Sequence, residues 1–154
     1  MKKVFLCFAL VCIVVLSPVA CTAFSFSSSN TPEMILEVAK RFGYAELRNG
    51  PTIVGRIDGQ KYEISFYGCT GALKCTSVQF FASWSTDKDI DLSEINEWNR
   101  MNGTGRASLH PNGSPTLRMD LPLPPPVEIS SYLNEWFTWW QRGINSFKKH
   151  LDLK

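Results

Sequence analysis

The chain has 154 residues, 44% hydrophobic and 19% charged. This globular balance predicts one domain and excludes a disordered tail, a collagen-like fibre and a polytopic membrane protein. Basic residues number 16 and acidic ones 14. Lys2 and Lys3 are the only charges in residues 1–23, so the chain without that segment is formally neutral. A neutral domain without a basic stripe is a poor nucleic-acid binder, and no nucleic-acid partner is expected.

Lys2 and Lys3 form a positive start, and Val4 to Leu16 is an unbroken apolar run of 13 residues. That length suits the core of a secretory signal better than a membrane span. Pro18 breaks the helix and small residues follow. Residues 1–23 are therefore read as a signal peptide, with cleavage after Ala20 or Ala23. An N-terminal anchor and lipidation at Cys21 are the alternatives. Lipidation alone would give the domain membrane contact. Every version exports the domain, with the periplasm the expected compartment. Residues 24–30 read as a Ser-rich linker and residues 31–154 as the folded domain.

Thr31-Pro32-Glu33 reads as a helix start, with Thr31 as cap, and Ile35, Val38, Ala39 and Phe42 recur at helical spacing up to Gly43. Ala45 to Arg48 reads as a short strand. Thr52 to Asp58 and Lys61 to Tyr67 read as two longer strands, joined by an Asp58-Gly59 hairpin turn. Tyr62, Ile64 and Phe66 fall on one face. Thr76 to Trp84 alternates in the same way, with Val78, Phe80, Ala82 and Trp84 inward.

Cys69 and Cys75 are the only cysteines after residue 23. Their C-x5-C spacing is neither a thiol-oxidoreductase motif nor half of a zinc site. In an exported chain the pair reads as a structural disulfide, contributing about 2–3 kcal/mol at most for so short a loop.

Asp91 with Glu94 reads as a capping box, with Ser93 the alternative cap, and Leu92, Ile95 and Trp98 continue a helix to Gly103. Gly105 to His110 and Pro115 to Leu121 read as paired strands around a Pro111-Asn112-Gly113 turn. A proline-rich connector leads to a long helix from Val127 to Leu151. Its apolar stripe is Ile129, Leu133, Trp136, Phe137, Trp140, Ile144, Phe147 and Leu151. One apolar face per strand predicts an antiparallel sheet covered on one side. The class is α+β with five to six strands, in the order α-β-β-β(-β)-α-β-β-α.

No catalytic constellation stands out, and no enzyme activity or cofactor is expected. His110 and His150 lack a second ligand at metal spacing. Asp87, Asp89 and Asp91 lack the glycine and distal glutamate of a calcium loop, so no metal site is expected. Asn96 and Asn99 form a candidate polar site on the second helix, with local backbone capping as the competing role. The polar sheet face carries Tyr67, Phe81, Arg106, Arg118 and Asp120, a candidate interaction surface. Trp139, off the stripe of the last helix, is a further candidate.

Arg56-Ile57-Asp58-Gly59, Phe66-Tyr67-Gly68-Cys69, Cys75-Thr76-Ser77-Val78-Gln79-Phe80, Ile95-Asn96-Glu97-Trp98-Asn99-Arg100 and Gly105-Arg106-Ala107 together resemble the YbjN family of bacterial domains. The resemblance spans about Pro32 to Leu151. It implies a fold similar to type III secretion chaperones and a regulatory role in sensory transduction, and it supplies no catalytic residues. A fold of that kind is commonly dimeric, so a homodimer is expected alongside a protein or peptide partner. The function expected is an exported, chaperone-like or regulatory binding module. The alternatives are a structural envelope lipoprotein held through Cys21 and an enzyme with an unrecognised site.

Overall fold

The computed structural model describes residues 31–48, 50–124 and 129–153. The expected signal peptide and linker, the proline-rich connector from Pro125 on and Val127 lie outside the described residues. Helix α1 (Thr31–Ala39) is followed by strands β1 (Ala45–Arg48), β2 (Thr52–Ile57), β3 (Gln60–Tyr67) and β4 (Ser77–Ser83). Helix α2 (Leu92–Met101), strands β5 (Arg106–Leu109) and β6 (Pro115–Pro122) and helix α3 (Ile129–His150) complete the chain. The class is α+β. All strands are antiparallel in one sheet of order β1-β2-β3-β4-β6-β5.

Local chemistry accounts for most of these elements. Asp58 and Gly59 both take positive φ, 49° and 79°, as a two-residue turn matched to strand twist requires. The Asp91 carboxylate accepts from the Ser93 N–H at 2.7 Å, and the Glu94 carboxylate from the Asp91 N–H at 3.1 Å, closing the capping box. Backbone donation from Ser93 holds the Asp91 carboxyl below its usual range. Gly43 sits at φ 151°, where an added Cβ would lie 2.2 Å from the Arg56 carbonyl oxygen. No other residue fits that corner.

The first helix departs from expectation. It stops at Ala39, and Phe42 reaches the core from the following turn, stacked on Phe137 at 5.2 Å. Thr31 lies inside the helix instead of capping it, and its hydroxyl accepts from the Cys75 N–H at 3.0 Å. That bond fastens the helix start to the Cys69–Cys75 loop, which is closed by a disulfide.

The core lies between the sheet and the helices. Alternation in the strands brings Ile53, Ile64, Phe80 and Met119 into one inward row. From α3, Leu133, Phe137, Trp140, Ile144 and Phe147, with Leu151 just beyond its end, meet that face fully buried. Trp136 is only half-buried, tilted against Tyr132 at the margin of the stripe. Phe80 meets Phe137 edge-on at 5.0 Å, and Phe147 lies between Trp84 and Trp98 at 5.1 Å from each. Such aromatic pairs add to the area they bury.

Polar ties close the ends of the helix layer. Gln141 and Asn145 of α3 both donate to the Asp58 carboxylate, at 2.9 and 2.8 Å, holding the β2–β3 turn. His150 is half-buried and bonds the Glu94 carbonyl oxygen at 2.9 Å.

Candidate functional site

Odd and even positions in each strand have opposite fates, so the register assembles the outer face without further assumption. Arg106, Arg118, Phe81, Glu63, Val54 and Glu46 form one row across all six strands. Asp120, Gln79 and Ser65 form the adjacent row, and Tyr67 and Ser77 the next. Five of the candidate surface residues, Tyr67, Phe81, Arg106, Arg118 and Asp120, thus share one face.

The register sets Arg106 directly opposite Arg118, a repulsive pair if both extended together. The two side chains diverge. Arg106 donates to the Asp120 carboxylate at 2.7 Å, and Gln79 donates to its other oxygen at 2.6 Å. Arg118 turns the other way and lies over the Phe81 ring, 5.1 Å from its centroid. The Phe81 ring is half-buried, and a guanidinium over its face is held by the ring quadrupole as well as by contact. The Arg106–Asp120 pair is wet and adds little to stability. Its effect is to order a flat polar patch beside an aromatic one. Tyr67, 50% exposed, extends the aromatic character toward the disulfide loop.

Next to Phe81 the face dips into an open groove of about 500 Å3, bordered by Tyr44, Arg48, Val54, Arg56, Lys61 and Glu63. The sequence reading missed Tyr44, Arg48 and Arg56 as groove residues. Their strands were legible, but register alone places them beside Phe81. The Tyr44 hydroxyl donates to the Glu46 carboxylate, and this bond, followed by burial and the Glu46 charge, holds the phenol above its usual range. Arg48 pairs with Glu46 at 3.5 Å. The groove therefore offers both signs of charge and two aromatic edges.

The other candidates lie elsewhere. Asn99 turns toward β5: its Nδ2 donates to the Ala107 carbonyl oxygen at 3.0 Å, and its Oδ1 accepts from the Ala107 N–H at 2.8 Å. Asn96 is exposed on α2. Trp139 is 41% exposed on α3, with the Arg142 guanidinium 5.5 Å from its ring. It sits on the helix that packs on the inward face of the sheet, apart from the outer row. Among the described residues no three His, Cys, Asp or Glu side chains are grouped to hold a metal ion. No described helix is long and apolar enough to cross a membrane.

A sequence model of the YbjN family, described as "Putative bacterial sensory transduction regulator", matches residues 31–148, from the start of α1 into the last turns of α3. No curated protein and no solved structure matches the chain.

Proposed function

The chain belongs to the YbjN family, and from that premise we propose that it is an exported regulatory binding module whose outer sheet face takes a protein or peptide. The family is described as one of sensory transduction regulators and is not a known enzyme family, and a regulator acts by engaging something else. One observation carries the choice of face: Arg118 lies over Phe81 beside the Arg106–Asp120–Gln79 network and at the rim of the groove. A half-buried aromatic with an arginine laid over it, beside the exposed Tyr67, is the kind of composition enriched in protein interfaces. Export is supported by the positive start and apolar run of residues 1–23 and by the Cys69–Cys75 disulfide on an exposed loop, which persists in an oxidising compartment.

The test places a photo-crosslinking residue at Phe81 or Tyr67, with Glu97 on α2 as the control position, in cells making the full-length chain. Discrete adducts from Phe81 and Tyr67, absent at Glu97 and lost in an Arg118→Glu background, are the expected result. Adducts from Glu97 alone would move the site off the sheet. Intact mass of the protein released by osmotic shock reads export in the same cells: loss of at least residues 1–20 is expected. A full-length mass would defeat the signal-peptide reading.

A further inference from the structure

A sheet with two edges needs an account of both. The β5 edge is blocked at Ala107. Main-chain groups of alternate residues bond to β6, and those of Ala107 point away from the sheet into the Asn99 carboxamide. That side chain takes the place of a neighbouring strand. Among the described residues the β1 edge is open. The Tyr44 carbonyl oxygen accepts from the Arg56 N–H at 2.8 Å, so Glu46 and Arg48 also bond inward to β2. The main-chain groups of Ala45 and Leu47 then point off the sheet. Leu47 stands at the end of the inward row through Ile53, Ile64 and Phe80, yet is 38% exposed.

We propose that β1 is a homodimer contact, pairing antiparallel with β1 of a second copy about a two-fold axis through Leu47. The charge order selects this partner and this register. Centred on Leu47, the pairing sets Glu46 of each copy opposite Arg48 of the other, on the outer face, at a position where cross-strand side chains approach most closely. The same operation lays Leu47 against Leu47 on the helix side and extends the inward apolar row into the second copy. Centring on Glu46 instead would oppose two carboxylates, so the alternative register is repelled. Glu-Leu-Arg is complementary to itself under a two-fold axis. The two six-stranded sheets become one continuous sheet, and the two grooves bordered by Tyr44 and Arg48 meet across the seam. The inference concerns the edge and stands whether or not the outer face takes a further protein.

So short a strand buries little area, which makes the association weak, concentration-dependent and sensitive to salt. Sedimentation equilibrium of the protein purified from cells expressing the full-length chain, at concentrations up to about 1 mM, reads it directly. Glu46→Arg and Arg48→Glu each place like charges across both pairs, and each is expected to raise the dimer dissociation constant about tenfold or more. Mixing those two variants restores both pairs in a heterodimer and recovers association, as does the double swap Glu46→Arg/Arg48→Glu in one chain. Circular dichroism confirms that each variant is folded, and recovery on mixing requires it. A parent that stays monomeric throughout overturns the proposal and leaves the edge to an extended segment of another protein. A dimer indifferent to both charge reversals, or variants that fail to recover on mixing, overturns it equally.

Discussion

Tyr62 shows how a single hydroxyl can be worse than none. Its ring lies on the inward face across from Gly55, where an added Cβ would come within 2.5 Å of the ring carbon and hydroxyl. Glycine at 55 is there to let the ring in. The ring is 2% exposed, and its hydroxyl has no hydrogen-bond partner among the described residues. A buried, unpaired polar group costs about 1–3 kcal/mol. Burial also favours the neutral phenol and pushes Tyr62 up to about 12 from an ordinary value of 10.0. A raised folded-state value means stability that is complete below the unfolded value and lost as pH rises from about 10 through 12. Tyr62→Phe is therefore expected to match the parent or exceed it by about 1 kcal/mol at pH 8. It should also lose less stability than the parent at pH 11. Urea unfolding at the two pH values measures both, and a variant clearly weaker at pH 8 would show that the hydroxyl is bonded.

At the scale of elements, the edges of the sheet matter more than its centre. Asn99 leaves α2 to satisfy both main-chain groups of Ala107, so one side chain joins a helix to an edge strand and blocks further strand addition. Asn99→Ala removes both bonds from a residue that is buried. The expected cost is about 1–3 kcal/mol, with aggregation on heating because the β5 edge is bared. Thermal melting followed by light scattering shows both, and a trace identical to the parent's would mean that the plug is idle. Much at this scale was legible beforehand. Period-two runs gave the inward faces, the Asp58-Gly59 pair gave the hairpin, and Asp91 with Glu94 gave the start of α2. Strand neighbours were not. Alternation says which way Phe81 and Arg118 point, but nothing local says that β6 returns beside β4 and leaves β5 outside. The Asp120–Gln79 and Arg118–Phe81 contacts follow only from that non-local pairing. The same limit hid Thr31, whose short polar side chain serves a loop 44 residues away instead of its own helix.

For the molecule as a whole, α3 is the beam on which the sheet rests, and two adjacent tryptophans measure its two sides. Trp140 is buried against Phe80, with ring centroids 5.5 Å apart. Trp139, one residue earlier and about 100° around the helix, is exposed beneath Arg142. The composition is the same at both positions, so any difference in their effects is a difference of place. Trp140→Ala empties the centre of the core and is expected to cost about 3–5 kcal/mol. That is a large share of the roughly 5–15 kcal/mol that holds a domain of ordinary stability together, so the variant sits near its unfolding threshold at 37 °C. Trp139→Ala removes an outward ring and is expected to stay within about 0.5 kcal/mol of the parent. Guanidinium unfolding of both variants at one temperature decides the matter, because the comparison cancels errors common to the two. A loss of several kcal/mol at Trp139 would place it in the core and remove it as a surface candidate. Near-parent stability at Trp139 leaves a variant with an intact outer face and an intact β1 edge. In that background, a change in partner binding traces to the helix side of the molecule and not to loss of the fold.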